Sequence, residues 1–121
     1  MIQKLWIEGP LPGANELLGA ANNNRFTYGK LKKEWHEIIG WHIKRYRIKP
    51  VDRAHFTFRW IEKNMKRDPD NISAGIKVIF DSLVEHGILE NDGWKQIEGF
   101  THSFEVGKNP GVEVKITSGE E

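Results

Sequence analysis

Val51-Asp52-Arg53-Ala54-His55-Phe56-Thr57-Phe58-Arg59-Trp60-Ile61 is the stretch that decides the fold. Phe56, Phe58 and Trp60 alternate with His55, Thr57 and Arg59, and the segment is rich in β-branched and aromatic side chains. That period of two predicts a strand with a large apolar face and a polar one. On its C-terminal side the chain turns abruptly acidic through Lys66-Arg67-Asp68-Pro69-Asp70. Ile72, Ile76, Ile79, Phe80, Leu83 and Val84 then recur at helical spacing, and Gly87 is placed to end that helix in a left-handed cap. Asn91-Asp92-Gly93 is a turn signal, because these residues tolerate positive φ. Two further strands are predicted, Trp94 to Val106 and Val112 to Thr117, joined through Lys108-Asn109-Pro110-Gly111.

On the N-terminal side Pro50 blocks helix continuation. Leu31, Trp35, Ile38, Ile39, His42 and Tyr46 predict an amphipathic helix from Thr27 to about Tyr46, with a basic outer face. Gly9 to Arg25 holds two Pro, three Gly and four Asn, a composition that predicts a long loop. Ile2 to Glu8 reads as a short strand. The order β-α-β-α-β-β contains no internal repeat and no linker. The expectation is a single α+β domain over residues 1–121, with a mixed sheet and two helices packed on one face.

The 121 residues carry 18 Lys and Arg against 17 Asp and Glu, a net charge of +1, and no cysteine. Absent thiols exclude disulfides, thiolate zinc sites and a cysteine nucleophile. No apolar run approaches the ~20 residues of a membrane span, and the first residues lack the apolar stretch of a signal peptide, so a cytoplasmic protein is expected. The near-zero sum conceals an asymmetry. Residues 25–67 hold thirteen Lys and Arg against four acids, net +9, whereas residues 68–121 hold four Lys against eleven acids, net −7. A basic surface beside a knot of carboxylates can hold a polyanion on one side and a divalent cation on the other. The same pattern also fits a solvated basic helix and an acidic tail that keep the domain soluble.

Asp68-Pro69-Asp70 is the chemically informative tripeptide. Proline restricts the residue before it and fixes its own φ, so the two carboxylates tend to project to one side. Oxygen donors of this kind suit hard cations such as Mg²⁺. Asp92 offers a third carboxylate. The structural alternative is a turn with a helix N-cap supplied by Asp70 or Asn71, with Asp92 as a turn residue and Lys77 as a solvated helix residue. Asp81 reads as solvent-side or structural. The five histidines show no metal-binding spacing, and the five tryptophans read as core and interface residues.

Arg67-Asp68-Pro69-Asp70-Asn71-Ile72, Lys77-Val78-Ile79-Phe80-Asp81-Ser82-Leu83 and Gly87-Ile88-Leu89-Glu90-Asn91-Asp92 together resemble the RusA family of Holliday junction resolvases. The family pattern is R-D-x-D-N, a lysine three residues before Phe-Asp-x-Leu, and a later acidic turn. Asn22-Asn23-Asn24-Arg25 resembles the end of the family's proline-then-asparagine segment. The resemblance implies a small homodimeric, Mg²⁺-dependent endonuclease that cuts four-way DNA junctions symmetrically in recombination and repair, with Mn²⁺ as a possible substitute. It implies Asp68, Asp70 and Asp92 as catalytic metal ligands and Lys77 as the catalytic lysine. One departure stands out: the family lysine follows the second aspartate by four residues, where this chain has Ala74. Aligned from Phe80-Asp81 the lysine falls on Lys77, with Lys66 or Arg67 as substitutes. Phosphate-backbone contacts are expected from Arg25, Lys30, Lys33, Lys44, Arg45, Arg47, Lys66 and Arg67. The dimer surface is expected on the first helix or the aromatic strand. The alternatives are a general branched or flap DNA nuclease and a non-catalytic DNA-binding module.

Overall fold

The structure, a computed structural model, describes residues 1–23 and 25–119. Its elements run β1 (Ile2–Glu8), α1 (Ala14–Asn23), α2 (Arg25–Arg45), β2 (Ala54–Glu62), α3 (Pro69–Ser73), α4 (Ile76–Glu85), β3 (Ile97–Val106) and β4 (Gly111–Ser118). The strands form one mixed sheet in the order β1-β4-β2-β3. β2 and β3 run parallel, joined by the α3-α4 crossover, and β4 pairs antiparallel with both β1 and β2. The expected α+β class and mixed sheet are therefore present.

The alternation in β2 decides which face is covered. Cross-strand rows Leu5-Val114-Phe58 and Ile7-Val112-Trp60 are buried. Phe80 of α4 meets Phe56 and Phe58 edge-on, at ring separations of 5.1 and 5.8 Å, and Ile39 and Ile43 of α2 join the same core. Truncating a buried phenylalanine such as Phe58 to alanine costs about 3–5 kcal/mol. The opposite face carries Lys4, Lys115 and Thr57 in one row and Trp6, Glu113 and Arg59 in the next, all of them exposed or half-buried. None of the described helices is long and apolar enough to cross a membrane.

Three expectations need correction. The Gly9 to Arg25 loop contains a helix, α1, whose start is held by long-range contacts: the Asn15 N–H donates to Asn71 Oδ1 at 2.9 Å, and Glu16 pairs with Arg67 at 3.0 Å. Gly13 permits that approach, because a Cβ there would lie 2.5 Å from the Asn71 carbonyl. Second, the stripe from Ile72 to Val84 is two helices, α3 and α4, broken at Ala74-Gly75. The order is thus β-α-α-β-α-α-β-β, with four helices among the described residues where two were expected. Third, Trp94 to Gln96 forms a turn, with the Gln96 and Ile97 N–H groups both donating to the Gly93 carbonyl, so the third strand starts at Ile97. Gly87 does end α4 with a positive φ of 76°, as the sequence predicts. The link after β3 passes across the end of β2, where the Gly107 N–H donates to the Glu62 carbonyl at 2.9 Å.

Candidate active site

The β2-α3-α4-β3 crossover carries every residue of the expected catalytic set. Asp68 is the N-cap residue of α3, with φ −75° and ψ 153°, and Pro69 occupies the first turn. Extended geometry at Asp68 is what a following proline enforces. Its carbonyl accepts the Ile72 N–H at 3.0 Å, yet its side chain caps nothing. Asp70 lies in the first turn of α3, where the helix dipole favours a negative charge. Both carboxylates are exposed, and neither has a hydrogen-bond or ion-pair partner among the described residues. The capping alternative is not realised by Asn71 either, since its side-chain oxygen is spent on α1.

Lys77, in the first turn of α4, has its ammonium 3.2 Å from Asp81 and 3.9 Å from Asp92. The hydrogen bond and charge of Asp81 raise its pKa, with a smaller contribution from Asp92, so it is protonated at neutral pH. Asp81 also lies 3.5 Å from Lys32 of α2. It is one of the site residues that sequence reasoning set aside. The signal that could have found it is its position four residues after Lys77, one helical turn away.

Lys77 and Asp92 line a trough of about 620 Å³ whose apolar walls are Ile76, Phe80, Ile97 and Phe100, with Trp94 exposed at its mouth. Asp68 lines a different groove, of about 290 Å³, with Met65, Ile72, Phe104 and Val106. Because Phe100 and Phe104 belong to one strand, the trough and the groove lie at successive levels along β3. Lys77 is thus brought to Asp92, whereas Asp68 lines a separate groove and Asp70 lines neither. Among the described residues no three acidic or histidine side chains form a group that could hold a metal ion.

Arg67 is committed elsewhere. Its guanidinium grips both oxygens of Glu62 at 2.8 Å and donates to the Leu11 carbonyl at 2.9 Å and to Glu16 at 3.0 Å. Its pKa is raised above the ordinary arginine value, chiefly by the Glu62 hydrogen bonds and against an opposing effect of burial. Such a bidentate pair fixes the chain that enters α3. Lys30, Lys33, Lys44, Arg45, Arg47 and Lys66 are exposed. Arg45 lies over the Trp41 ring, 5.4 Å from its centroid. The Arg25 side chain lies outside the described residues.

Oxygen donors alone make up the Asp68, Asp70 and Asp92 set, which is the chemistry a hard divalent cation takes. The Asp68 and Asp70 carboxylates, exposed and without a partner among the described residues, keep their lone pairs for such an ion. Asp92 already faces one cation, the Lys77 ammonium.

No curated protein matches the chain. The family model described as Endodeoxyribonuclease RusA matches residues 9–117 of the 121, an extent that includes the crossover and all four residues of the expected catalytic set. The chain belongs to the RusA endodeoxyribonuclease family.

Proposed function

We propose that this chain is a Mg²⁺-dependent endonuclease that resolves four-way DNA junctions by paired, symmetric phosphodiester cleavage, acting as a homodimer in recombination and repair in the cytoplasm. The observation that carries the reading is the two exposed carboxylates, Asp68 and Asp70, which flank Pro69 and have no partner among the described residues, in a chain of this family. Asp68, Asp70 and Asp92 would hold Mg²⁺, or Mn²⁺ in its place. The ion supplies Lewis acidity and lowers the pKa of a bound water.

This chain's own residues account for the rest. Lys77 is protonated and held by Asp81 and Asp92, so it acts on charge developing at the phosphate and not as a base. Lys30, Lys33, Lys44, Arg45 and Arg47 along and just beyond α2, with Lys66, bind the phosphate backbone without reading sequence. Arg67 fixes the geometry of the turn into α3. Two nicks related by a two-fold axis require two sites so related, which a symmetric dimer provides.

The test replaces Asp70 with Asn and incubates the protein with Mg²⁺ and a synthetic four-way junction, a flap and a linear duplex. The expected result is loss of junction cutting with junction binding retained. Undiminished cutting by the variant would overturn the assignment, and equal cutting of all three substrates by the parent protein would point to a general nuclease.

A further inference from the structure

Trp94 is 96% exposed, more than any other large apolar side chain among the described residues. Its backbone, by contrast, is tied down. The Asn91 and Gln96 side chains accept the Asp92 and Gly93 N–H groups at 2.8 and 3.3 Å, and the Gln96 carbonyl accepts the Ala54 N–H of β2 at 3.0 Å. The turn is thus fastened to the sheet while the indole it carries stands in solvent, two residues from Asp92. An aromatic ring of this size is a large apolar surface to leave uncovered.

Trp94 shares its trough with Lys77 and Asp92, and the trough's chemistry is divided. The walls are apolar, with the Phe80 and Phe100 rings 6.0 Å apart. Two carboxylates lie within it, Asp92 facing Lys77 and Glu98 facing Arg53 at 3.8 Å, so its interior disfavours phosphate. An uncharged planar ring suits that interior, and phosphate suits the Lys77 ammonium and the exposed Lys95. A nucleobase joined to its phosphodiester presents both. Every base has a face on which an aromatic side chain can stack, so such a contact needs no particular sequence. In continuous duplex, however, each base is covered by a neighbour above and below. Unstacking costs least where pairing is already disturbed, as at a branch point.

We infer that Trp94 stacks on a base freed at the branch point of a DNA junction, and so gives the adjoining Lys77–Asp92 site its preference for branched over linear DNA. The inference rests on the part of the proposed function that brings DNA to this site. It adds the contact that tells the substrates apart. The basic residues of α2 cannot do so alone, because duplex and junction offer them the same phosphates.

The full chain is titrated, without divalent cation, against a four-way junction and against a linear duplex of the same sequence. Trp94→Ala, a surface change that should leave the circular dichroism unaltered, is expected to bind the junction about tenfold more weakly, the scale of one lost base–aromatic stack, and the duplex as tightly as the parent. Trp94→Phe keeps an aromatic face and should restore most of the junction affinity. Unchanged junction affinity, or an equal loss on both DNAs, would overturn the inference. So would a change in the sedimenting mass of DNA-free Trp94→Ala, which would place the indole in a protein–protein contact. A junction carrying iodouracil at the branch point, irradiated in the complex, is expected to crosslink to Trp94 as located by mass spectrometry. Crosslinking only to other residues would disprove the stacking. Adding Mg²⁺ judges the proposed function separately. If the parent cuts junctions and Trp94→Ala keeps the parent's preference, the stacking falls and the proposed function stands. If the parent binds the junction through Trp94 yet cuts nothing, the stacking stands and the endonuclease reading falls.

Discussion

The Trp60 indole donates its N–H to Nδ1 of His102 at 2.8 Å, which holds the imidazole in the neutral tautomer with its proton on Nε2. Phe58 and Phe104 stack close to the same ring, at 5.2 and 6.1 Å. One bond thereby couples the buried strand β2 to the exposed strand β3.

A pH dependence follows from it. Burial pushes His102 below its ordinary pKa of 6.5. The unfolded chain therefore takes up the proton first as pH falls. The stability linked to His102 is complete above about pH 6.5 and is lost as pH drops toward the lower folded-state value. Thermal melts at pH 7.5 and 5.5 should show a fall in midpoint for the parent protein. His102→Asn, which keeps an acceptor for Trp60, should show a smaller one. Equal falls would disprove the assignment.

Arg67 is expected to govern stability and not DNA affinity. Arg67→Met strands the Glu62 carboxylate, whose side chain is 14% exposed, and releases α1. Breaking a largely buried pair by removing one partner costs about 3–5 kcal/mol, and the partial exposure here lowers that to about 2. Urea unfolding measures the loss. A variant as stable as the parent, with weakened junction binding, would return Arg67 to the phosphate-contacting set.

Lys77 should behave in the opposite way. Its side chain is 61% exposed, so Lys77→Met should change unfolding free energy by no more than about 0.5 kcal/mol. Cutting should fall by about a hundredfold, the scale set by removing one group that stabilises transition-state charge. Single-turnover cleavage with junction in excess of its dissociation constant separates this from binding. Unchanged cutting would shift the role to Lys66.

The basic residues near the C-terminal end of α2 should set the salt dependence. Replacing Lys44 and Arg45 by alanine together should reduce the slope of log affinity against log salt by about 0.9 for each phosphate that is no longer neutralised. A titration of binding between low and moderate salt gives the slope directly. The same slope in both proteins would remove this surface from the DNA interface.

Much of the fold is legible locally because its signals are local. The alternation of Phe56, Phe58 and Trp60 needs no partner to be read, and Gly87 ends α4 for its own backbone reasons. α1 is different. Its asparagines and glycine read as loop, and what makes it a helix is contact with Asn71 and Arg67, more than fifty residues away in the chain. Such tertiary stabilisation leaves no trace in a window of sequence. The site divides in the same manner. Asp68-Pro69-Asp70 is visible because proline imposes its geometry on neighbours, whereas the fixing of Lys77 by Asp81 depends on which face of α4 packs inward. Sequence also could not place Asp92 along the sheet, since that depends on the length and the break of the α3-α4 crossover.

β4 lies between β1 and β2, and among the described residues β1 pairs with no other strand. Ile2 is opposite Thr117, so the first strand waits for the last before it can pair. Closing a loop over that span carries an entropic cost that the β1–β4 ladder must offset. A chain that stops before Gly111 has no strand to pair with β1, and β4 is the strand that joins β1 to β2 in one sheet.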